Sequence, residues 1–176
     1  VEAASAGQRW GIVQAVLPLG AVAALAARGE VQWIEERPEI RHRNDKAVAA
    51  SHLRAVPAWN DWGLTGKGQV VGHADTGLDT GVLATLHPDF AGRIRALIAR
   101  GRSGDPSDPH GHGTHTAGSI LGSGAASAGQ FRGVAYEAEL VHQSVVDAYG
   151  AFSGLPADLY WVYDESFALG AHIHSD

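Results

Sequence analysis

Gln69-Val70-Val71-Gly72-His73-Ala74-Asp75-Thr76-Gly77 decides the fold. It is a short run of small and β-branched residues that ends on a carboxylate, the form of a buried parallel strand, and Gly77 lets the chain swing away. Ligands of α/β sheets gather at such carboxyl ends. Working outward, Leu140-Val141-His142-Gln143-Ser144-Val145-Val146 reads as a second apolar strand, and the chain from Ala171 as a third. A Gly- and Pro-rich surface loop from Ala99 to Gly111 precedes a helix expected to start at about His112. Pro156 starts another, in which Leu159, Val162, Tyr163, Ser166 and Phe167 fall at the spacing of one buried face, with Gly170 as its stop. Strand, helix, strand, helix, strand implies an α/β domain, a parallel sheet flanked by helices.

The first 43 residues read differently. Ala21 to Ala27 is a short Ala-rich helix, Val31-Gln32-Trp33-Ile34 a strand, and Pro38 a breaker, which makes a small α+β piece. The charge-mixed run Arg37–Asp45 has few apolar anchors and reads as an exposed linker, so the boundary falls near Arg43, dividing 1–43 from 44–176. From Ala47 to Trp62 one or two helical turns are expected, followed by the turn cluster 63–68.

Composition narrows the function. Thirteen Lys and Arg against nineteen Asp and Glu give a net charge of −6, with no basic run to follow a phosphate backbone, which argues against nucleic acid as a partner. With no cysteine there is no disulfide and no thiolate metal site, and with no methionine there is no thioether to oxidise. The apolar stretch Gly11–Ala27 is interrupted by Pro18 and Gly20 and falls short of the ~20 residues of a spanning helix, so no membrane span is expected. Val1 in place of Met, and a strand cut at Asp176, are the expected marks of a fragment. An export signal is then expected upstream.

Asp75 and His112 carry the chemistry. An imidazole takes a proton from a serine hydroxyl only if its other nitrogen is held by an acceptor, and a carboxylate at a strand end supplies one. His112-Gly113-Thr114-His115-Thr116-Ala117-Gly118 places that imidazole at the start of a helix of small residues, which can lie close to the sheet. None of Ser103, Ser107, Ser119, Ser123, Ser127, Ser144, Ser153 or Ser166 sits in a nucleophile-like setting. A rival chemistry is zinc, since His110, His112 and His115 form an H-x-H-x-x-H cluster. His73 lies two residues before Asp75 and shares its face of the strand. A core histidine bonded to backbone is its expected role, and a charged neighbour tuning Asp75 is the alternative.

From about Asn44 to Asp176 the chain resembles the N-terminal part of a subtilisin-like serine protease domain. The resemblance is carried by Gly68–Asp79, by Gly111–Gly118, by Arg132–Leu140, where Tyr136 stands in place of the family's usual Pro, and by Leu155–His174. The last of these looks like the oxidatively stable alkaline branch. It implies that Asp75 orients the base, that His112 is the base, and that Gly150, Ala151 and Phe152 form the edge along which an extended polypeptide substrate pairs. It implies a secreted endopeptidase needing no cofactor, with calcium common in the family and Asp79 and Asp105 as carboxylates available to it. Residues 1–43 resemble the end of a propeptide. The oxyanion Asn block and the nucleophile Ser block have no match here, so this fragment is expected to be inactive, and a non-catalytic pseudoenzyme or binding fragment is the alternative. A sheet cut short also implies loose packing or aggregation of the isolated piece.

Overall fold

The computed structural model describes residues 2–4, 13–36, 48 and 53–176. The chain divides into two compact units, Val1–His42 and Arg43–Asp176. In the first, β1 (Glu2–Ala4) and β2 (Val13–Gln14) pair antiparallel, and a short helix α1 (Val22–Ala26) follows, inside the expected Ala21–Ala27. The strand expected over Val31–Ile34 does not form. Residues 31–36 have no regular structure, and the exposed Trp33 donates its indole N–H to Glu35 at 3.0 Å. Alternating residues make a strand only beside a partner, and no described strand pairs with this run. The expected linker 37–45 lies outside the described residues.

In the second unit, α2 (Ala55–Trp62) is closed by Gly63 in the left-handed region. Its Trp59 donates to the Val134 carbonyl at 2.9 Å and meets the Tyr136 ring edge-on at 5.0 Å. The Arg132 guanidinium lies 4.5 Å over the same ring, so Tyr136 packs between a tryptophan and a cation.

Four parallel strands form the sheet: β3 (Val70–Asp75), β4 (Ile94–Ala99), β5 (Glu139–Ser144) and β6 (Ile173–Ser175), in the order β4-β5-β3-β6. The strand β4 was not expected, and Ala99 ends it instead of opening the loop. Arg93, just before it, and Arg95, within it, mask a half-buried run, Ile94, Ala96, Leu97 and Ile98. Among the described residues no helix is long and apolar enough to cross a membrane.

Two helices complete the unit, α3 (His112–Leu121) and α4 (Tyr160–Ala168). The start of α4 lies beyond the expected Pro156, because residues 157–159 turn first and the Asp158 carboxylate accepts the Tyr160 N–H at 3.0 Å. Register pairs His73 with His142 and Asp75 with Ser144, so alternate residues Val71, His73 and Asp75 share a face with Leu140, His142 and Ser144. That face meets α3 in the main core of Val71, Leu78, Phe90, Ala117, Leu121, Ala138 and Leu140. Each fully buried leucine contributes about 1.5–3 kcal/mol. A smaller cluster of Val70, Val141 and Ala171 lies apart from it.

The expected buried face of α4 is only half right. Val162 and Ser166 are buried and accept two hydrogen bonds from the Gln143 amide, at 2.7 and 2.8 Å, but Leu159, Tyr163 and Phe167 are exposed. Here the sheet offers only the three-residue β6 and an open cavity. On α3 the small residues act as expected, but at particular positions. A methyl on Gly113 would collide with the Gly77 carbonyl, and Ala117 has no exposed surface, whereas a methyl on Gly118 would meet nothing. Gly111 also has open space around it, and its φ of 84° is what requires glycine.

Candidate active site

Asp75 is the last residue of β3 and His112 the first of α3, so the sheet and the helix start bring them together. Their contact is bidentate: His112 Nδ1 lies 2.9 Å from Asp75 Oδ1 and 3.0 Å from Oδ2. An ionised carboxylate only accepts, so Nδ1 carries a proton, and in the neutral ring Nε2 keeps its lone pair. The His112 side chain is 58% exposed while that of Asp75 is 6% exposed. The pair therefore joins a buried anchor to an accessible base.

The carboxylate is held by more than its partner. Burial pushes the Asp75 carboxyl up, but hydrogen bonds from His73, His112, the Thr76 N–H and the Thr116 hydroxyl outweigh it and hold the group well below the usual carboxylate range. The hydrogen bond to Asp75, then its charge, raise the His112 imidazole above its ordinary value.

Asp108 fixes the helix start. Its Oδ1 accepts from Thr76 Oγ1 at 2.8 Å and from the Gly111 N–H at 2.9 Å, and its Oδ2 accepts from the Thr114 N–H and hydroxyl at 2.8 and 2.6 Å. Thr76 Oγ1 in turn accepts the Gly113 N–H at 2.8 Å. The strand end and the helix end are thus tied through one carboxylate that also satisfies free first-turn donors. Asp108, Thr76, Thr116 and His142 were all missed from sequence. For Asp108 a signal was present, an aspartate just before a Gly-preceded helix.

His73 departs from its expected role. Its ring bonds side chains, not backbone: Nδ1 is 3.0 Å from His142 Nδ1, and Nε2 is 3.1 Å from Thr116 Oγ1 and 3.4 Å from Asp75 Oδ2. A buried strand residue has its backbone groups committed to the ladder, so a polar ring there must find side-chain partners.

A cavity of about 350 Å³ opens beside the pair, lined by Asp75 and His112 and by apolar groups including Val145, Phe152, Leu159 and Val162. Of the three residues expected to meet a substrate, Phe152 lines this cavity, while Gly150 and Ala151 are exposed beside it. Asp147 holds their turn: its carboxylate accepts the Tyr149 and Ala151 N–H groups at 2.8 and 3.0 Å, and its own N–H donates to the Ala151 carbonyl at 2.8 Å.

Zinc finds no cage at His110, His112 and His115. The His110 and His112 rings stand 6.3 Å apart, Nδ1 of His112 is taken by Asp75, and no group of three ligands converges among the described residues. Asp79 accepts the His87 N–H, and Asp105 pairs with Arg102 at 3.0 Å and caps Ser107, so each carboxylate holds a loop together. Among the described residues no serine hydroxyl is bonded to His112. Ser144 instead donates to the Thr76 carbonyl at 3.3 Å, and Ser119 to that of His115 at 3.1 Å.

A parallel sheet whose central strand ends on a carboxylate bound to an exposed imidazole, at the rim of a cavity, has the parts of a proton-transfer site. The Subtilase family model matches residues 66–175, and the chain belongs to that family. It is 37% identical to the serine protease AprX of Bacillus subtilis over 145 residues, which cover 82% of this chain and 31% of that protein. A subtilisin-like protease of Coccidioides posadasii is 30% identical over 166 residues, covering 82% of this chain and 38% of the relative. The structure of the CspB protease of Clostridium perfringens matches with a TM-score of 0.50 and 26% identity, over 70% of this chain and 32% of that one. The chain thus spans about a third of the length of the relatives it matches.

Proposed function

We propose that the full-length protein is a serine endopeptidase and that this chain supplies the acid-base half of its site. The observation that carries the reading is the contact of Asp75 with His112 Nδ1 at 2.9 Å, which leaves Nε2 free at the cavity. A serine hydroxyl attacks the scissile carbonyl, and the Oγ–C bond forms as Nε2 of His112 takes the proton. His112 returns it to the leaving amine as the C–N bond breaks, water then releases the acyl group, and Asp75 fixes the tautomer throughout. Among the described residues no serine hydroxyl meets His112, and residues 1–176 alone are expected to leave peptide bonds intact.

The substrate is an extended polypeptide. Its apolar side chains enter the cavity against Phe152, and pairing of its backbone with 150–152 requires the Asp147 turn to open. Residues 1–43 act as a propeptide, released by cleavage near Arg43, and the mature protein works outside the cell without a required cofactor. Labelling by a serine-directed fluorophosphonate, with hydrolysis of an unstructured peptide, tests the reading. The full-length protein is expected to be labelled and active, and residues 1–176 alone to be neither; an unlabelled, inactive full-length protein leaves the pseudoenzyme reading. N-terminal sequencing of protein from the culture medium tests the processing site.

A further inference from the structure

His73 and His142 face each other across β3 and β5, both out of solvent, with Nδ1 atoms 3.0 Å apart. One ring must donate and the other accept. Nε2 of His142 is buried without a hydrogen-bond partner in either arrangement, so the choice is made at the other end of His73. If His73 carried its proton on Nδ1, its Nε2 lone pair would face the Asp75 carboxylate, 3.4 Å away, one acceptor against another. With the proton on His142 Nδ1, His73 carries its own on Nε2, where Asp75 Oδ2 and Thr116 Oγ1 accept it.

We propose that His73 is a positioning residue of the acid-base pair: its Nε2–H holds the Asp75 carboxylate from the buried side while His112 engages it from the exposed side, and His142 fixes the His73 tautomer. The charged and titratable groups around His73 are Asp75 on β3, His142 on β5, His112 on α3, Asp108 in the loop before α3, and His174 on β6, itself bound to Asp176 at 3.0 Å. Burial, then the neighbouring His73, push His142 down to about 3, so it stays neutral where the site works. Asp75 then has a donor on its buried side that does not leave when His112 changes charge. The inference rests on the reading of Asp75 and His112 as the catalytic pair.

The test is nitrogen-15 NMR of the histidine-labelled full-length protein near neutral pH, with carbon-13 titration of the Asp75 carboxyl. His73 is expected to be protonated at Nε2 and bare at Nδ1, and His142 the reverse; a proton on His73 Nδ1 overturns the proposal. In His73→Val the Asp75 carboxyl is expected to titrate at least one pH unit higher, with kcat down about tenfold at unchanged KM, since one unit of pKa is a tenfold change in equilibrium. His73→Gln, whose amide reaches the Nε2 position, is expected to restore both. Identical Asp75 titrations in all three proteins contradict the role. If His73→Val fails to fold, the tautomers of the unaltered protein still decide. They are read without peptidase activity, so failure here is distinct from failure of the endopeptidase reading.

Discussion

The region where the sheet meets α3 and the region around α4 share the same strands and differ in how completely they close. Under α3, Gly113 and Ala117 let the helix settle onto the strands, an apolar core forms there, and on the same sheet face His73 and His142 are fully buried behind the Asp75 anchor. Around α4 only Val162 and Ser166 are covered; Leu159 and Tyr163 line an open cavity, and Phe167 is exposed beside the His172 ring. Close packing by small residues excludes water and keeps a carboxylate network rigid. Large residues over a short strand leave room for a ligand. His112 lies at the junction, its anchor in the closed region and its free nitrogen at the open one.

The largest effect should come from cutting that junction. Asp75→Asn in the full-length protein is expected to lower kcat by about 10⁴-fold, the loss seen when a triad aspartate is made an amide, and His112→Ala by at least as much. Retention of more than a tenth of the activity on peptide substrate removes the pair from the chemistry.

Next is the contrast between the regions themselves. Leu140→Ala, in the closed core, is expected to cost about 2–5 kcal/mol, whereas Phe167→Ala, at 59% exposure, should stay within about 0.5 kcal/mol. Thermal midpoints of the two variants check this. Equal losses would mean that the α4 region is covered in the full-length protein.

Buried His142 adds a pH dependence of opposite sign to that of His112. His142 is lowered from 6.5 to about 3, so between those values the unfolded chain binds a proton that the folded one does not. Stability therefore falls as pH falls, by up to about 1.4 kcal/mol per pH unit. Asp75, held below the usual range, stabilises the fold above its ordinary 3.8, and that contribution is lost as pH falls through its folded value. The raised His112 contributes stability present below 6.5 and lost as pH rises through its folded value, and at its exposure this is small. Melting scans from pH 7 to 4 check the sum, and a midpoint flat across that range contradicts burial of a neutral His142.

The smallest effect belongs to the open side. Phe152→Ala is expected to raise KM a few-fold with kcat held, and Asp147→Ala, which frees the 150–152 turn, to change KM and not kcat, as steady-state kinetics on an extended peptide would read. A change confined to kcat would place neither residue at the substrate.

The anchor strand and the base-bearing helix were legible because their signals are local. A β-branched run ending on Asp75-Thr76-Gly77, and a glycine before His112, fix a strand end and a helix start without help from distant residues. The strand expected over 31–34 failed for the opposite reason, since alternation there finds no partner. Edge strand β4 was hidden by Arg93 and Arg95, and the α4 face depended on how much sheet lay beneath it. The His73–His142 contact joins residues 69 positions apart, and only the parallel register of β3 with β5 creates it. His142 looked like one polar residue in an apolar strand until its neighbour was known.

The most direct test of the central claim is the titration of the His112 ring by NMR in the full-length protein and in its Asp75→Asn variant. The geometry predicts a midpoint above the ordinary 6.5 and a proton resident on Nδ1, both lost when the carboxylate is made an amide. A His112 that titrates at the same pH in both proteins would contradict it.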